Sequence, residues 1–137
     1  MLSLSKKVEK AVRSEGEAAY PDECCGFLLG TLDAAGFRTG EDILPAANAW
    51  TTSEKRRRFR ITPEDFLRAE QEAGAKDLCV VGFYHSHPDH PSRPSEYDRE
   101  QALPCYSYVI VAVSGGRAVS LTSWELSPDR SGFVQEL

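Results

Sequence analysis

Apolar positions change rhythm several times along the chain, and each change marks an element. Over residues 5–19, Val8, Ala11, Val12, Ala18 and Ala19 recur at roughly helical spacing among charges, which predicts an amphipathic helix. Pro21 ends it. Residues 24–30 form a continuous apolar run, as in a strand covered on both faces. Asp33, Ala34, Ala35 and Gly36 read as a turn into a second strand, from Phe37 to about Pro45. Thr62, Pro63, Glu64 and Asp65 start a helix, with Thr as N-cap, Pro in the first helical position and acids in the first turn. Phe66, Leu67, Glu70 and Ala73 continue that helix, and Gly74 stops it. Residues 78–84 are the best buried-strand candidate. A proline-rich loop follows, then a short helix opened at Ser95 and closed before Pro104. Residues 106–113 and 118–126 are strands of a hairpin over Ser114, Gly115 and Gly116, and residues 132–137 add an edge strand. About three helices and five or six strands in mixed order predict an α/β fold, a mixed sheet with helices around it.

Composition narrows the class. With 137 residues and no repeat, low-complexity tract or linker, the chain reads as one domain over 1–137. That length buries a core without metal or disulfide staples. Sixteen Lys and Arg against 21 Asp and Glu give a net charge of −5, which argues against nucleic acid or an anionic membrane as partner. No apolar run approaches the roughly 18 residues that span a bilayer. The first residues place lysines in a helical pattern, with no apolar core of a signal peptide. Cys24, Cys25, Cys79 and Cys105 form no C-x-x-C pair, which fits reduced thiols and a cytoplasmic location. Their apolar surroundings suggest small buried side chains rather than nucleophiles.

Candidate chemistry concentrates in residues 82–98, which hold all three histidines. In extended backbone, positions i and i+2 share a side, so His85 and His87 can present both imidazoles to one metal ion. Pro88 biases His87 toward extended conformations. Two histidines, a carboxylate and a position left for water make a catalytic zinc arrangement. The bound water would have a pKa near 7. Asp98 is the candidate carboxylate. Ser95 and Asp98 are three apart at a helix start, which is also the spacing of an ordinary N-terminal cap. Hydrolysis would further need a general base and an oxyanion donor, and Glu23, just before an apolar strand, is the candidate base.

Glu23 followed at a distance by H-x-H-x(7)-S-x-x-D, with His85, His87, Ser95 and Asp98 in the four defined positions, resembles the JAMM metallopeptidases, the MPN-type zinc hydrolases. Residues 21–30 resemble the family's Glu-bearing strand, and Phe59, Arg60, Ile61, Thr62 and Pro63 the start of its second helix. The resemblance implies a cytidine-deaminase-like fold, a mixed β-sheet flanked by helices. It implies one Zn2+ per chain on His85, His87 and Asp98. Glu23 would take a proton from the zinc-bound water and pass it to the leaving amine, and Ser95 would hydrogen-bond the oxyanion. It also implies cleavage of a peptide or isopeptide bond after the Gly-Gly tail of a ubiquitin-like β-grasp protein. The chain lacks the long insertions of eukaryotic deubiquitinases and is more similar to compact bacterial members that process sulfur carriers. The alternative is a non-catalytic MPN-type module that binds a ubiquitin-like partner.

Other readings are weaker. A nucleobase deaminase expects H-x-E with P-C-x-x-C, whereas His87 stands two after His85. A non-haem iron oxygenase shares the two histidines and carboxylate, but its ligands lie on barrel strands. His90 reads as loop exposure, since a fourth protein ligand would close the water position. Ser86 should point away from its neighbouring histidines and can satisfy a backbone group. Pro88, Pro91 and Pro94 stiffen the loop. Trp50 and Trp124 carry no role beyond packing. Residues 54–60, with five basic residues and one acid, carry +4, leaving −9 on the rest. Such a strip suits an acidic protein face, or is a solvated loop edge.

Overall fold

The structure is a computed structural model that describes residues 1–48 and 61–137. Trp50 and the basic run at 54–60 therefore lie outside the described residues. A short strand, β1 (Leu2–Leu4), precedes helix α1 (Lys6–Ala19). Ser5 caps α1, its hydroxyl accepting the Val8 N–H at 3.2 Å, and the buried stripe is Val8, Val12 and Gly16. Strands β2 (Cys25–Leu32) and β3 (Arg38–Ala46) follow. They are joined by a turn in which Asp33 Oδ1 accepts from the Ala35 and Phe37 N–H groups, both at 2.9 Å. Gly36 takes the positive φ of 85° that this turn requires. Helix α2 (Pro63–Ala75) starts at Thr62, whose hydroxyl accepts the Asp65 N–H, and runs one residue past Gly74. Strand β4 (Cys79–Pro88) extends four residues beyond the predicted end at Tyr84, so both histidines lie on it. Helix α3 (Glu96–Gln101), strands β5 (Ser107–Ser114) and β6 (Arg117–Leu126), and edge strand β7 (Phe133–Gln135) complete the order.

The strands form one sheet in the order β1-β3-β2-β4-β5-β6-β7. β1–β3 and β4–β5 are parallel and the other pairs antiparallel. This is the expected fold class, a mixed sheet flanked by helices. β1 was not predicted, because three residues are too few to show a strand's alternation. One core lies under α1, where Val8 and Val12 meet Leu28, Tyr84, Val109 and Val111. The other lies under α2, where Ala69 and Ala73 meet Phe27, Leu29, Phe83 and Tyr108. Phe83 is on the α2 side and Tyr84 on the α1 side, so strand alternation carries His85 and His87 to the α2 side and Ser86 to the α1 side.

The sheet curls until its edges approach. The Met1 ammonium lies 2.9 Å from Glu125 on β6 and 3.3 Å from Glu136 beyond β7. Arg38 on β3, 9% exposed, donates to both Ser107 and Glu125. The cysteines divide, contrary to expectation: Cys25 is buried and Cys24 half-buried, but Cys79 and Cys105 are exposed. Cys79 opens β4 before the strand passes under α2, and Cys105 occupies a turn position with φ of 71°. All four are free thiols. No helix among the described residues is long and apolar enough to cross a membrane.

Candidate metal centre

β4 supplies the middle of the site. His85 and His87 are 1% and 7% exposed, with their Nε2 atoms 3.1 Å apart. Asp98, in the first turn of α3, brings Oδ2 to 3.2 Å from His85 Nε2 and 3.1 Å from His87 Nε2. The three donor atoms thus form a nearly equilateral triangle. Zn–N and Zn–O bonds of 2.0–2.1 Å place tetrahedral ligands about 3.3 Å apart, so this triangle matches one face of such a tetrahedron. Asp98 is held there by a capping box. Its N–H donates to Ser95 Oγ at 3.0 Å, and its Oδ2 accepts the Ser95 N–H at 2.8 Å. The cap does not compete with a metal site at S-x-x-D, because it aims the same oxygen at both imidazoles.

Glu23 reaches the site because β2 runs antiparallel to β4 with Cys25 opposite His85. Ser86 locks the approach: its hydroxyl accepts the Cys24 N–H at 2.8 Å, and its own N–H donates to the Cys24 carbonyl at 3.2 Å. Ser86 thus points away from the histidines and satisfies a neighbouring backbone group, as predicted. One carboxylate oxygen of Glu23 and one nitrogen from each of His85 and His87 lie within 4.8 Å of one another. Glu23 is 5% exposed, and its Oε1 has no hydrogen-bond partner among the described residues. Such a buried, unsatisfied acceptor beside a donor cluster is what a water or cation would complete. Proximity alone makes Glu23 as eligible a ligand as Asp98, but the tighter triangle belongs to Asp98.

The electrostatics follow from burial and mutual charge. Burial pushes the Glu23 carboxyl up to about 8, with His87 pulling it down and Asp98 adding to the rise. Burial would raise Asp98 too, but the charges and hydrogen bonds of both histidines hold it well below the carboxylate range. Burial lowers His85. For His87 burial is outweighed by the Asp98 contact, which holds its pKa up.

A 520 Å³ cleft meets the centre at Asp98 and has Phe66, Phe83, Tyr97 and Tyr108 in its walls. Ser95 is exposed, and its hydroxyl oxygen accepts the Asp98 N–H, which leaves its own O–H to donate. His90 is exposed, as expected. Sequence reasoning gave no role to Ser92, Thr122 or Trp124, which structure the loop between His87 and Ser95; isolated Ser, Thr and Trp residues carry no spacing signal that could have found them.

The helix-flanked mixed sheet is a fold shared with JAB1/MPN-domain proteins. The chain belongs to the family described as prokaryotic homologs of the JAB domain (Prok-JAB), whose model matches residues 5–127. Among characterised relatives, it is 38% identical over 122 residues to a desampylase of Haloferax volcanii, covering 83% of this chain and 82% of the relative. Its structure is similar to the solution structure of a Salinibacter ruber protein, with a TM-score of 0.79 and 42% identity over 98% of this chain and 88% of the other. A JAB1/MPN-domain protein of Archaeoglobus fulgidus, AF2198, shares the fold at 18% identity and a TM-score of 0.59, covering 100% of this chain and 93% of the other.

Proposed function

We propose that the chain is a zinc-dependent hydrolase of the JAMM type that cuts the peptide or isopeptide bond following the Gly-Gly tail of a ubiquitin-like β-grasp protein, a bacterial sulfur carrier in particular. The observation that carries this reading is the 3.1–3.2 Å triangle of His85, His87 and Asp98, with the buried Glu23 carboxylate beside it. The relative named desampylase supports the substrate class, since a desampylase removes a ubiquitin-like protein. His85, His87 and Asp98 would hold one zinc ion, because their donor set and spacing fit it. Bound there, zinc supplies Lewis acidity and brings the pKa of a water near neutrality.

Glu23 is the general base. Its buried Oε1, unpartnered among the described residues and close to both histidines, is placed to take a proton and to return it. It accepts a proton from the attacking water at Oε1 and delivers it to the leaving amine. Ser95 donates its free O–H to the oxyanion of the tetrahedral intermediate. The apolar cleft buries part of an extended chain as it reaches Asp98, excluding water from the reacting bond. The protein acts in the cytoplasm, where reduced thiols such as its four are stable.

The test is zinc analysis of protein purified without chelator, followed by incubation with a Gly-Gly-tailed carrier extended by further residues. About one zinc per chain and release of the extension are expected. Glu23→Gln should keep carrier binding and lower hydrolysis at least about 10²-fold. Wild-type protein that binds the carrier but cuts nothing would replace this reading with the non-catalytic binding module.

A further inference from the structure

The ligand His87 is oriented from behind. Its Nδ1 lies 2.8 Å from the Pro91 carbonyl oxygen. A carbonyl can only accept, so Nδ1 carries a proton, and in the neutral ring Nε2 is the nitrogen left to bind a metal ion. The Pro91 carbonyl also accepts the Arg93 N–H at 2.8 Å, which folds the backbone tightly around Ser92.

Ser92 is 7% exposed although it sits in a loop. Its hydroxyl pairs with Ser120 Oγ at 2.7 Å. Its carbonyl accepts from the Thr122 hydroxyl at 2.6 Å and from the Trp124 indole N–H at 3.3 Å. The indole N–H also donates to Thr122 Oγ1 at 2.8 Å. Residues 120, 122 and 124 alternate along β6, so all three face the loop together. The backbone is therefore fixed on both sides of the Ser92 Cα, the Pro91 carbonyl by the imidazole and the Ser92 carbonyl by β6.

We propose that Ser92, Thr122 and Trp124 form a clamp that positions His87: β6 holds the Ser92 peptide, and through it the Pro91 carbonyl fixes the ring orientation and the Nδ1–H tautomer in which Nε2 is free to bind metal. This rests on the metal-site reading given above but not on the identity of any substrate. Ser92, Thr122 and Trp124 are positioning residues, since none touches the donor triangle. Partners of this outer kind typically carry 10–100-fold in metal affinity. Ser92 occupies an undefined position of H-x-H-x(7)-S-x-x-D, and β6 lies outside that motif entirely.

Thr122→Val keeps the branched shape and removes the hydroxyl, whereas Thr122→Ser keeps the hydroxyl. Zinc affinity is measured by competition with a chelator, and exchange of the His87 Nδ1–H with water by NMR on the zinc-loaded, ¹⁵N-labelled protein. Thr122→Val is expected to weaken zinc binding about tenfold and to speed Nδ1–H exchange, and Thr122→Ser to restore both. Unchanged affinity and exchange in Thr122→Val would overturn the clamp. So would weaker zinc binding with unaltered exchange and a matching drop in Tm, which is the mark of a purely structural role. If Thr122→Val does not fold, Trp124→Phe removes the second donor and is judged by the same two readouts. A wild-type protein that binds zinc and cleaves no carrier would sink the proposed function while leaving these measurements intact.

Discussion

At the scale of single residues, the two carboxylates have been pushed in opposite directions. Asp98 accepts from the Ser95 N–H and faces two imidazoles, so it stays charged. Asp98→Asn keeps the shape and an acceptor for that N–H but removes the charge. Thermal stability of the metal-free protein should fall at neutral pH, because the fold favours the charged form. Zinc affinity measured by chelator competition should fall more than about a hundredfold, beyond the loss typical of outer partners. Glu23 has the reverse problem, a carboxyl buried with an unsatisfied oxygen. Its folded pKa of about 8 exceeds its unfolded value of 4.5. The folded state therefore binds the extra proton, and stability falls as pH rises between those values. In chelator-treated protein, Glu23→Gln escapes that loss. Its urea midpoint should match wild type near pH 4 and exceed it near pH 9, by up to a few kcal/mol in stability. Equal midpoints at both pH values would mean that water already solvates the carboxylate.

At the scale of elements, the site depends on how β4 is seated between β2 and β5. Gly82 lies opposite Ser107 in the parallel β4–β5 pair, and a Cβ there would fall 2.2 Å from the Ser107 carbonyl oxygen. Backbone cannot yield as a flexible side chain does. Gly82→Ala should thus force the strands apart, costing about 3 kcal/mol by denaturant unfolding and weakening zinc binding through the displaced histidines. Much of this seating was legible in the sequence. The apolar runs of β2 and β4, the Thr62-Pro63 helix start and the glycine-rich hairpin each carry their own local signal. The alternation of His85 and His87 about Ser86 foretold which side each takes. Long-range pairing was not legible. Nothing local says that Cys25 lies opposite His85, which is what brings Glu23 to the site, and nothing near Trp124 says that its indole reaches Ser92. The end of β4 was also hidden, because Pro88 and the polar His-Ser-His read as loop although the segment pairs with β5 as far as Val113.

At the scale of the whole molecule, the curled sheet separates chemistry from closure. His87 pairs with Ala112 toward the β5–β6 hairpin, and the donor triangle lies at that end. At the other end, where Leu32 pairs with Arg38 and Ser107 with Glu125, the Arg38 guanidinium crosses from β3 to Ser107 and Glu125 and draws the curled sheet together. Charge-assisted hydrogen bonds of this kind contribute about 1.5–3 kcal/mol, and Arg38 is too buried for water to replace them fully. Arg38→Met fills similar space without the charge. It should lower stability by about 2 kcal/mol, seen as a reduced urea midpoint, while zinc affinity and carrier cleavage remain within about twofold of wild type once the folded fraction is accounted for. The two ends are joined by β4 and β5, so this is a test of rigidity as much as of energy. A sheet that transmits strain from Arg38 to His85 and His87 would lose zinc affinity in step with stability. Loss of stability alone would show that the strands between the two ends hold the donor triangle in place by their own pairing.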